Sequence, residues 1–219
     1  MKPITSYEQL DKLGRVRLSP NFYMRDFLYS EIAAWYACRQ HDLSEAPLLN
    51  VPEYPDRAIE AGEQLCVQLL EPLQATFGRL AVRSGYRSPA VNEFGNKNKL
   101  NCGSNESNYG GHIWDYPDSI RKEPGATACI VVPWFEGHKE KHGANWTEMA
   151  WWIHDHLPYS TMQFLASGAF NIGWQKTPQR VIRSTSAPHK LTSPNMSNHS
   201  GSHASEYPHF PQLKLASAT

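Results

Sequence analysis

Arg87 is the residue whose type and position are best suited to chemistry, and it lies in the stretch Ser-Gly-Tyr-Arg-Ser-Pro-Ala-Val-Asn at residues 84–92. Its guanidinium offers a planar fork of donors, which suits a carboxylate or a developing oxyanion. Buried arginines also serve in structural ion pairs. The stretch therefore predicts either an anion-binding arginine, with a catalytic or substrate-binding role, or a structural one.

A short strand and a helix are predicted on the two sides of Arg87. Residues 80–83, Leu-Ala-Val-Arg, have the alternating character of a strand, and Gly85 permits a sharp bend. Ser88 and Pro89 form a good helix start, with proline at the first helical position. The sequence thus predicts that the guanidinium is fixed at a strand-to-helix corner.

Residues 84–92 resemble the Ser-Gly-Tyr-Arg-Ser-Pro-x-x-Asn signature of the D-alanyl-D-alanine carboxypeptidase type of zinc peptidase, whose fold is shared with the hedgehog signalling domain. Residues 18–30 are similar to the N-terminal helix of that family. An amphipathic segment at 56–77, closed by Gly78, matches the helix that packs against the strand bearing the arginine. The resemblance extends over roughly residues 18–175.

The resemblance implies an α+β fold with a small antiparallel sheet flanked by helices. It also implies that Ser84, Tyr86 and Arg87 bind substrate, and that Arg87 takes part in catalysis. Trp114 joins them as a predicted substrate-binding residue, because a large apolar ring in a polar loop should have a partner surface.

Zinc chemistry in this family requires three protein ligands and a glutamate base. The first two ligands belong to a Ser-x-His-x-x-Gly-x-Ala-x-Asp pattern, which fits this sequence in two registers. Without a gap, residues 107–115 match and Asn108 stands in the histidine position. With a gap, His112 is the first ligand and Cys129 stands in the aspartate position. We prefer the gapped register, because residues 125–132 have the character of a buried central strand.

The remaining site positions depart from the family pattern. The family's Trp-x-His on the last strand corresponds to residues 169–174 and puts Asn171 in the third ligand position. Residues 159–165 match the base-bearing strand without a glutamate, and a general base contributes about 10²- to 10⁴-fold in rate. Cys129 could bind zinc as a thiolate, but a cysteine within an apolar strand is more often an inert core thiol. We therefore expect that zinc hydrolysis is lost and that no metal is bound, with zinc held by rearranged ligands as the alternative.

Other histidines offer a way to complete the site. A tail folded over the cleft could bring His199 or His203 to His112, although a His-rich polar tail is more often solvated. We also expect His138 and His142 to be solvated in a loop rich in lysine and glutamate.

Bulk composition excludes some classes of function. The 219 residues include 21 basic and 21 acidic ones without a basic stripe, which argues against a nucleic-acid partner. No apolar run approaches the ~20 residues of a membrane span, and the first residues lack the apolar segment of a signal peptide. We expect a cytoplasmic or virion-associated protein. Its four cysteines show no C-x-x-C spacing and are expected to be free thiols.

Three segments are predicted along the chain. Residues 1–17 form a lead-in, 18–176 form the domain that resembles the peptidase, and 177–219 form an irregular tail rich in serine, proline and histidine.

Three functions from different classes are compatible with these residues. The first, which we predict, is a peptidase-like domain that has lost zinc hydrolysis and serves as a binding or structural module. Its partners would be a peptide or cell-wall fragment, or protein subunits contacted through exposed aromatic residues and the tail, as in a phage particle. The second is an active zinc-dependent D-alanyl peptidase with rearranged ligands. In the third, Arg87 holds a substrate carboxylate and His112 acts as acid or base near neutral pH.

Overall fold

Six strands pair into one sheet in the computed structural model, which describes residues 7–39 and 48–215. In chain order the strands are Ala81–Ser84 (β1), Gly125–Val131 (β2), Thr161–Phe164 (β3), Phe170–Gln175 (β4), Val181–Ser184 (β5) and Lys190–Thr192 (β6). Their order across the sheet is β1-β2-β4-β3-β5-β6. With the helices described below, the fold is α+β.

The sheet is mixed, so the expectation of an antiparallel sheet is wrong at one pair. All neighbouring strands run antiparallel except β3 and β5, which are parallel. After β4 the chain returns to the starting end of β3, where the Val181 N–H donates to the carbonyl of Ser160 at 3.1 Å. As a result, β5 leaves in the same direction as β3.

Helices surround the sheet and carry the local signals that the sequence predicts. They are Tyr7–Gly14 (α1), Arg25–Leu28 (α2), Glu31–Arg39 (α3), Pro55–Leu65 (α4), Glu71–Phe77 (α5), Pro89–Lys97 (α6), Asn105–Asn108 (α7), Pro133–His142 (α8) and Trp146–His156 (α9). A π-helical turn, Cys66–Leu70, joins α4 to α5, so the predicted helix at 56–77 is confirmed with one wider turn inside it. Asn145 and Glu148 form a capping box at the start of α9.

The core lies between the α4–α5 helix and the sheet. Leu65, Leu69 and Leu73 are fully buried along this helix, at the helical spacing that the sequence shows. Helix α4 packs on β2 and β4. This packing holds the two central strands in place, and both of them contribute side chains to the site described below.

The stretch after residue 177 is more ordered than predicted, because it supplies β5 and β6. Beyond them the chain runs over α9. The Trp152 indole donates to the carbonyl of Pro211 at 2.9 Å. Asp155 accepts hydrogen bonds from the backbone N–H and the Nδ1 of His203, each at 2.7 Å, and from the Tyr207 hydroxyl. The segment is therefore fastened to the domain surface.

His138 is buried, so the prediction that it is solvated is wrong. It lies on α8 and is buried, with its ring between those of Trp134 and Phe210. His142, one turn further along α8, is exposed, as expected.

Two further observations, on membrane-spanning helices and on disulfides, apply only to the described part of the chain. None of its helices combines the length and the apolar character that crossing a membrane requires. Cys66, Cys102 and Cys129 carry free thiols.

Candidate functional site

A cleft of about 460 Å³ opens where β1 ends, and it collects most of the predicted site residues. Those that line it are Ser84, Tyr86, Arg87, Asn108, His112, Cys129 and Asn171. A larger cavity of about 1030 Å³ adjoins the other end of β1, but none of its lining residues in the described chain is a histidine or cysteine. The smaller cleft is therefore the candidate functional site.

Arg87 enters the cleft from the predicted strand-to-helix corner. Its Nη1 donates to Asn92 Oδ1 at 3.0 Å and to Cys102 Sγ at 3.2 Å. Asn92 is fully buried, and its amide nitrogen donates in turn to Asn105 at 2.8 Å, which turns the oxygen towards Arg87. Within residues 7–39 and 48–215, Arg87 forms no ion pair with an acidic side chain. A guanidinium without an acidic partner keeps its charge available to an anion.

Local sequence explains why this corner forms. The Ser88 side chain accepts from Val91 N–H and caps α6, and Pro89 occupies the first helical turn. Gly85 has no room for a side chain, because a Cβ atom there would lie 2.7 Å from the side chain of Phe27. These residues thus fix the direction in which the chain leaves β1, and with it the position of Arg87.

His112 is held as a neutral ring. Its Nδ1 lies 2.8 Å from the carbonyl oxygen of Gly85, and because a carbonyl only accepts, Nδ1 is the nitrogen that carries the proton. Burial, followed by the positive charge of Arg87, lowers the pKa of His112 to about 4. Hydrogen bonds to Gly85 and Asn171 favour the charged ring and offset only part of this. The ring is therefore uncharged near neutral pH.

Cys129 and Asn171 share one row of the sheet. They are direct partners between β2 and β4, and Ser84 on β1 is the partner of Cys129 on the other side. Directly opposed residues present their side chains to the same face. Burial raises the pKa of the Cys129 thiol, and the positive charge of Arg83 opposes this only in part. The thiol is therefore protonated near neutral pH.

The cleft does not fit a hydrolytic zinc ion. One feature is favourable, because a histidine that donates Nδ1–H to a backbone carbonyl is typical of a metal ligand. Asn171, however, offers an amide at the third position. Among residues 7–39 and 48–215, no group of three or more His, Cys, Asp or Glu side chains is arranged to hold a metal ion.

Cysteine, histidine and asparagine are also the residue types of thiol hydrolases, whose nucleophile is a thiolate beside a charged imidazole. Burial raises the pKa of the Cys129 thiol and lowers that of His112, which favours the neutral form of both groups.

Two predicted substrate-binding residues are placed mainly in the core. Trp114 is 1% exposed, and its indole donates to the carbonyl of Thr127 at 3.1 Å, so the partner surface that its size demands is the protein interior. Tyr86 is also 1% exposed, and its hydroxyl donates to Asp115 at 3.1 Å. Tyr86 thus forms part of the wall of the cleft while its polar group points to a structural partner.

The tail histidines do not reach the cleft. His199 and His203 lie against α9, where His154 Nε2 contacts the carbonyl of His199 at 2.9 Å. Neither is among the residues that line the cleft.

Sequence reasoning missed three other residues of this site. Glu31, at the start of α3, is the only acidic residue among the described residues that line the cleft, and Arg83 lines it as well. Asn92 orients Arg87, and its place at the end of the 84–92 motif was the signal that could have found it. Glu31 carried no comparable signal, because its approach to the cleft depends on how α3 packs.

Comparison of the chain with protein-family models, with curated proteins and with solved structures finds no match.

Proposed function

We propose that this chain is a D-alanyl-D-alanine carboxypeptidase-like domain that has lost zinc hydrolysis and binds peptides through their C-terminal carboxylate. One observation carries the proposal. The Arg87 guanidinium is fixed by the side chains of Asn92 and Cys102 in an open cleft, and within the described residues no acidic side chain forms an ion pair with it. A partly buried guanidinium in such a setting is poised for an anion supplied by a ligand.

The other side chains of the cleft support binding without hydrolysis. His112 and Cys129 are neutral, and Asn171 offers an amide that both donates and accepts. Such groups suit the amide bonds of a peptide. They do not supply the three ligands or the matched general base that zinc hydrolysis needs. We extend the proposal to a binding or structural role on cell-wall peptides, in a particle such as a phage virion.

A pair of ligands tests the proposal. Acetyl-D-Ala-D-Ala and its C-terminal amide are titrated by calorimetry into the wild type, Arg87→Gln and Arg79→Gln. We expect the free acid to bind at least about tenfold more tightly than the amide, since a charge-assisted hydrogen bond contributes this much or more. Arg87→Gln should remove the difference. Arg79→Gln, which removes the same charge outside the cleft, should preserve it.

Two results would contradict the proposal. The acid and the amide could bind equally, or the preference for the acid could survive in a folded Arg87→Gln protein. Release of D-alanine by the wild type would instead contradict the loss of hydrolysis.

An active zinc-dependent D-alanyl peptidase is the second candidate, and one contact favours it. The bond between His112 Nδ1 and the Gly85 carbonyl orients the ring as a metal ligand would be oriented. Under this alternative, the protein binds one zinc per chain and releases D-alanine from acetyl-D-Ala-D-Ala, and His112→Ala loses both. A metal-free protein after equilibration with excess zinc would exclude this candidate.

A further inference from the structure

We infer that residues 208–215 form a pH-sensitive strap, which lies on helices α5, α8 and α9 near neutral pH and detaches from them on acidification. Three histidines would respond to the pH: His138 and His142 on α8, and His209 on the strap. The inference is independent of the proposed function and concerns another face of the domain.

The three imidazole rings form a continuous row. The ring centroids of His138 and His142 are 4.6 Å apart, and those of His142 and His209 are also 4.6 Å apart. Phe210, the neighbour of His209, lies against the ring of His138 at 4.9 Å. The row therefore joins the strap to α8 through rings that each gain a positive charge when protonated, and like charges at this distance repel.

His138 is placed where a positive charge is costly. Its side chain is 6% exposed, and its Nε2 is buried without a hydrogen-bond partner among the described residues. Both nitrogens of a charged ring carry a proton, so a buried donor would have no acceptor. Burial, followed by the charge of His142, lowers the pKa of His138. Phe210 of the strap is one of the rings that cover it.

The charges around the row add to this effect. Loss of solvation, followed by the positive charges of His209 and Lys141, lowers the pKa of His142. Glu148 on α9 acts in the opposite direction on both His138 and His142 but is outweighed. Because the attached state disfavours protonation, a falling pH shifts the equilibrium towards the detached state, in which the rings are separate and solvated.

The contacts that hold the strap are few and uncharged. The Trp152 indole donates to the carbonyl of Pro211, and the Lys214 N–H donates to Thr76 Oγ1, each at 2.9 Å. The side chain of Phe210 is only partly buried. Neutral hydrogen bonds near a surface contribute modestly to stability, so protonation of adjacent rings can outweigh them.

The chain just before the strap is held in a way that acid does not loosen. His203 places Nδ1 2.7 Å from Asp155 Oδ1 and Nε2 2.9 Å from the carbonyl oxygen of Asn198. Both oxygens accept, a geometry that suits the charged ring. The Tyr207 hydroxyl donates to the same carboxylate at 2.7 Å. Detachment is therefore expected to begin after Tyr207.

Nuclear Overhauser effects between aromatic rings, recorded from pH 8 to pH 5, test the inference. The rings of Phe210 and Trp134 are 5.3 Å apart while the strap is attached. Those of Phe27 and Trp114, 5.2 Å apart in the core, report whether the domain stays folded. We expect the first effect to vanish with a midpoint between about pH 5 and about pH 6.5, and the second to persist.

Two substitutions of His209 separate charge from packing. Both remove the ring from its contact with His142, but His209→Lys leaves a permanent cation there and His209→Gln does not. The midpoint should be higher in His209→Lys than in His209→Gln, by on the order of half a pH unit or more. The triple variant His138→Phe, His142→Gln, His209→Gln should keep the strap attached over the whole range.

Three results would overturn the inference. The effect between Phe210 and Trp134 could persist down to pH 5 in the wild type, or it could vanish together with that between Phe27 and Trp114. Equal midpoints in His209→Gln and His209→Lys would show that the charge at this position does not control the strap.

Discussion

Cys129 and Asn171 lie directly opposite each other on β2 and β4, and both line the cleft that His112 also lines. Under the function proposed above, these three positions correspond to the metal ligands of a D-alanyl-D-alanine carboxypeptidase, with a thiol and an amide in place of two of the groups that zinc prefers in a hydrolytic site.

Replacing the thiol by a carboxylate and the amide by an imidazole should create a zinc site beside His112. We expect the double variant Cys129→Asp, Asn171→His to bind about one zinc per chain, because catalytic sites hold the ion with three protein ligands. Elemental analysis after gel filtration measures the ratio, and Cys129→Asp alone is the control. A folded double variant that binds no more zinc than this control would show that the three side chains do not converge on one point.

Gly85 should be intolerant of a side chain. In Gly85→Ala the new methyl group would meet Phe27 at 2.7 Å, and overpacking of a core costs about 1–3 kcal/mol. Urea denaturation measures the free energy of unfolding. The matched control is Gly137→Ala on α8, where a Cβ meets nothing within 4 Å and helix propensity predicts a gain of about 0.5–1 kcal/mol. Equal effects of the two substitutions would contradict the packing described here.

Tyr86 should matter for stability rather than for ligand binding. Tyr86→Phe leaves Asp115 without its hydroxyl donor in a buried site, which costs about 1–3 kcal/mol. The affinity for acetyl-D-Ala-D-Ala, measured by calorimetry, should stay unchanged. Tyr29→Phe is the control, because Tyr29 also lines the cleft but is 61% exposed. Loss of affinity in Tyr86→Phe at unchanged stability would assign the hydroxyl to the ligand.

Stability should fall as the pH drops from about 6.5 to about 4. Burial, followed by Arg87, lowers the pKa of His112 to about 4, and burial lowers that of His154 to about 4 as well. In this window the unfolded chain binds protons that the folded chain does not, so the free energy of unfolding decreases with falling pH. The stabilisation is complete above about pH 6.5, and each histidine accounts for on the order of 2–3 kcal/mol of the loss.

Urea denaturation across this pH range measures the effect. His154→Gln should reduce the slope of stability against pH, because burial lowers the pKa of His154. A slope that is the same in the wild type and in His154→Gln would contradict the assignment of His154.

The local elements of the fold could be predicted because each carries its own signal. Ser88 and Pro89 mark the start of α6, and Asn145 marks that of α9. The alternating and apolar runs predict β2, β3 and β4 at nearly their observed bounds. Strands β5 and β6 could not be predicted, because three- and four-residue strands in a serine-rich stretch lack a period. They form by pairing, β5 with β3 and β6 with β5.

In the candidate site, too, some residues could be predicted from local patterns and others could not. The gapped register predicts His112 and Cys129, and the match of residues 169–174 predicts Asn171. All three line one cleft, and so does Asn108, which the ungapped register predicts. The burial of Trp114 and of His138 depends on contacts with residues distant in sequence. Such contacts leave no local pattern, so both residues were expected to be more exposed than they are.

The hydrogen bonds that hold the tail to the domain affect the order in which the chain folds. The Lys214 N–H donates to Thr76 Oγ1 at 2.9 Å, a contact between residues 138 apart in sequence. Contacts of such long separation close late, because the intervening chain must first be ordered. During synthesis, α5 and α9 emerge from the ribosome well before residues 207–215 can cover them. We therefore expect the nascent domain to expose Phe77 and Trp152 until residues 207–215 have left the ribosome, so this apolar face is open to chaperones during synthesis.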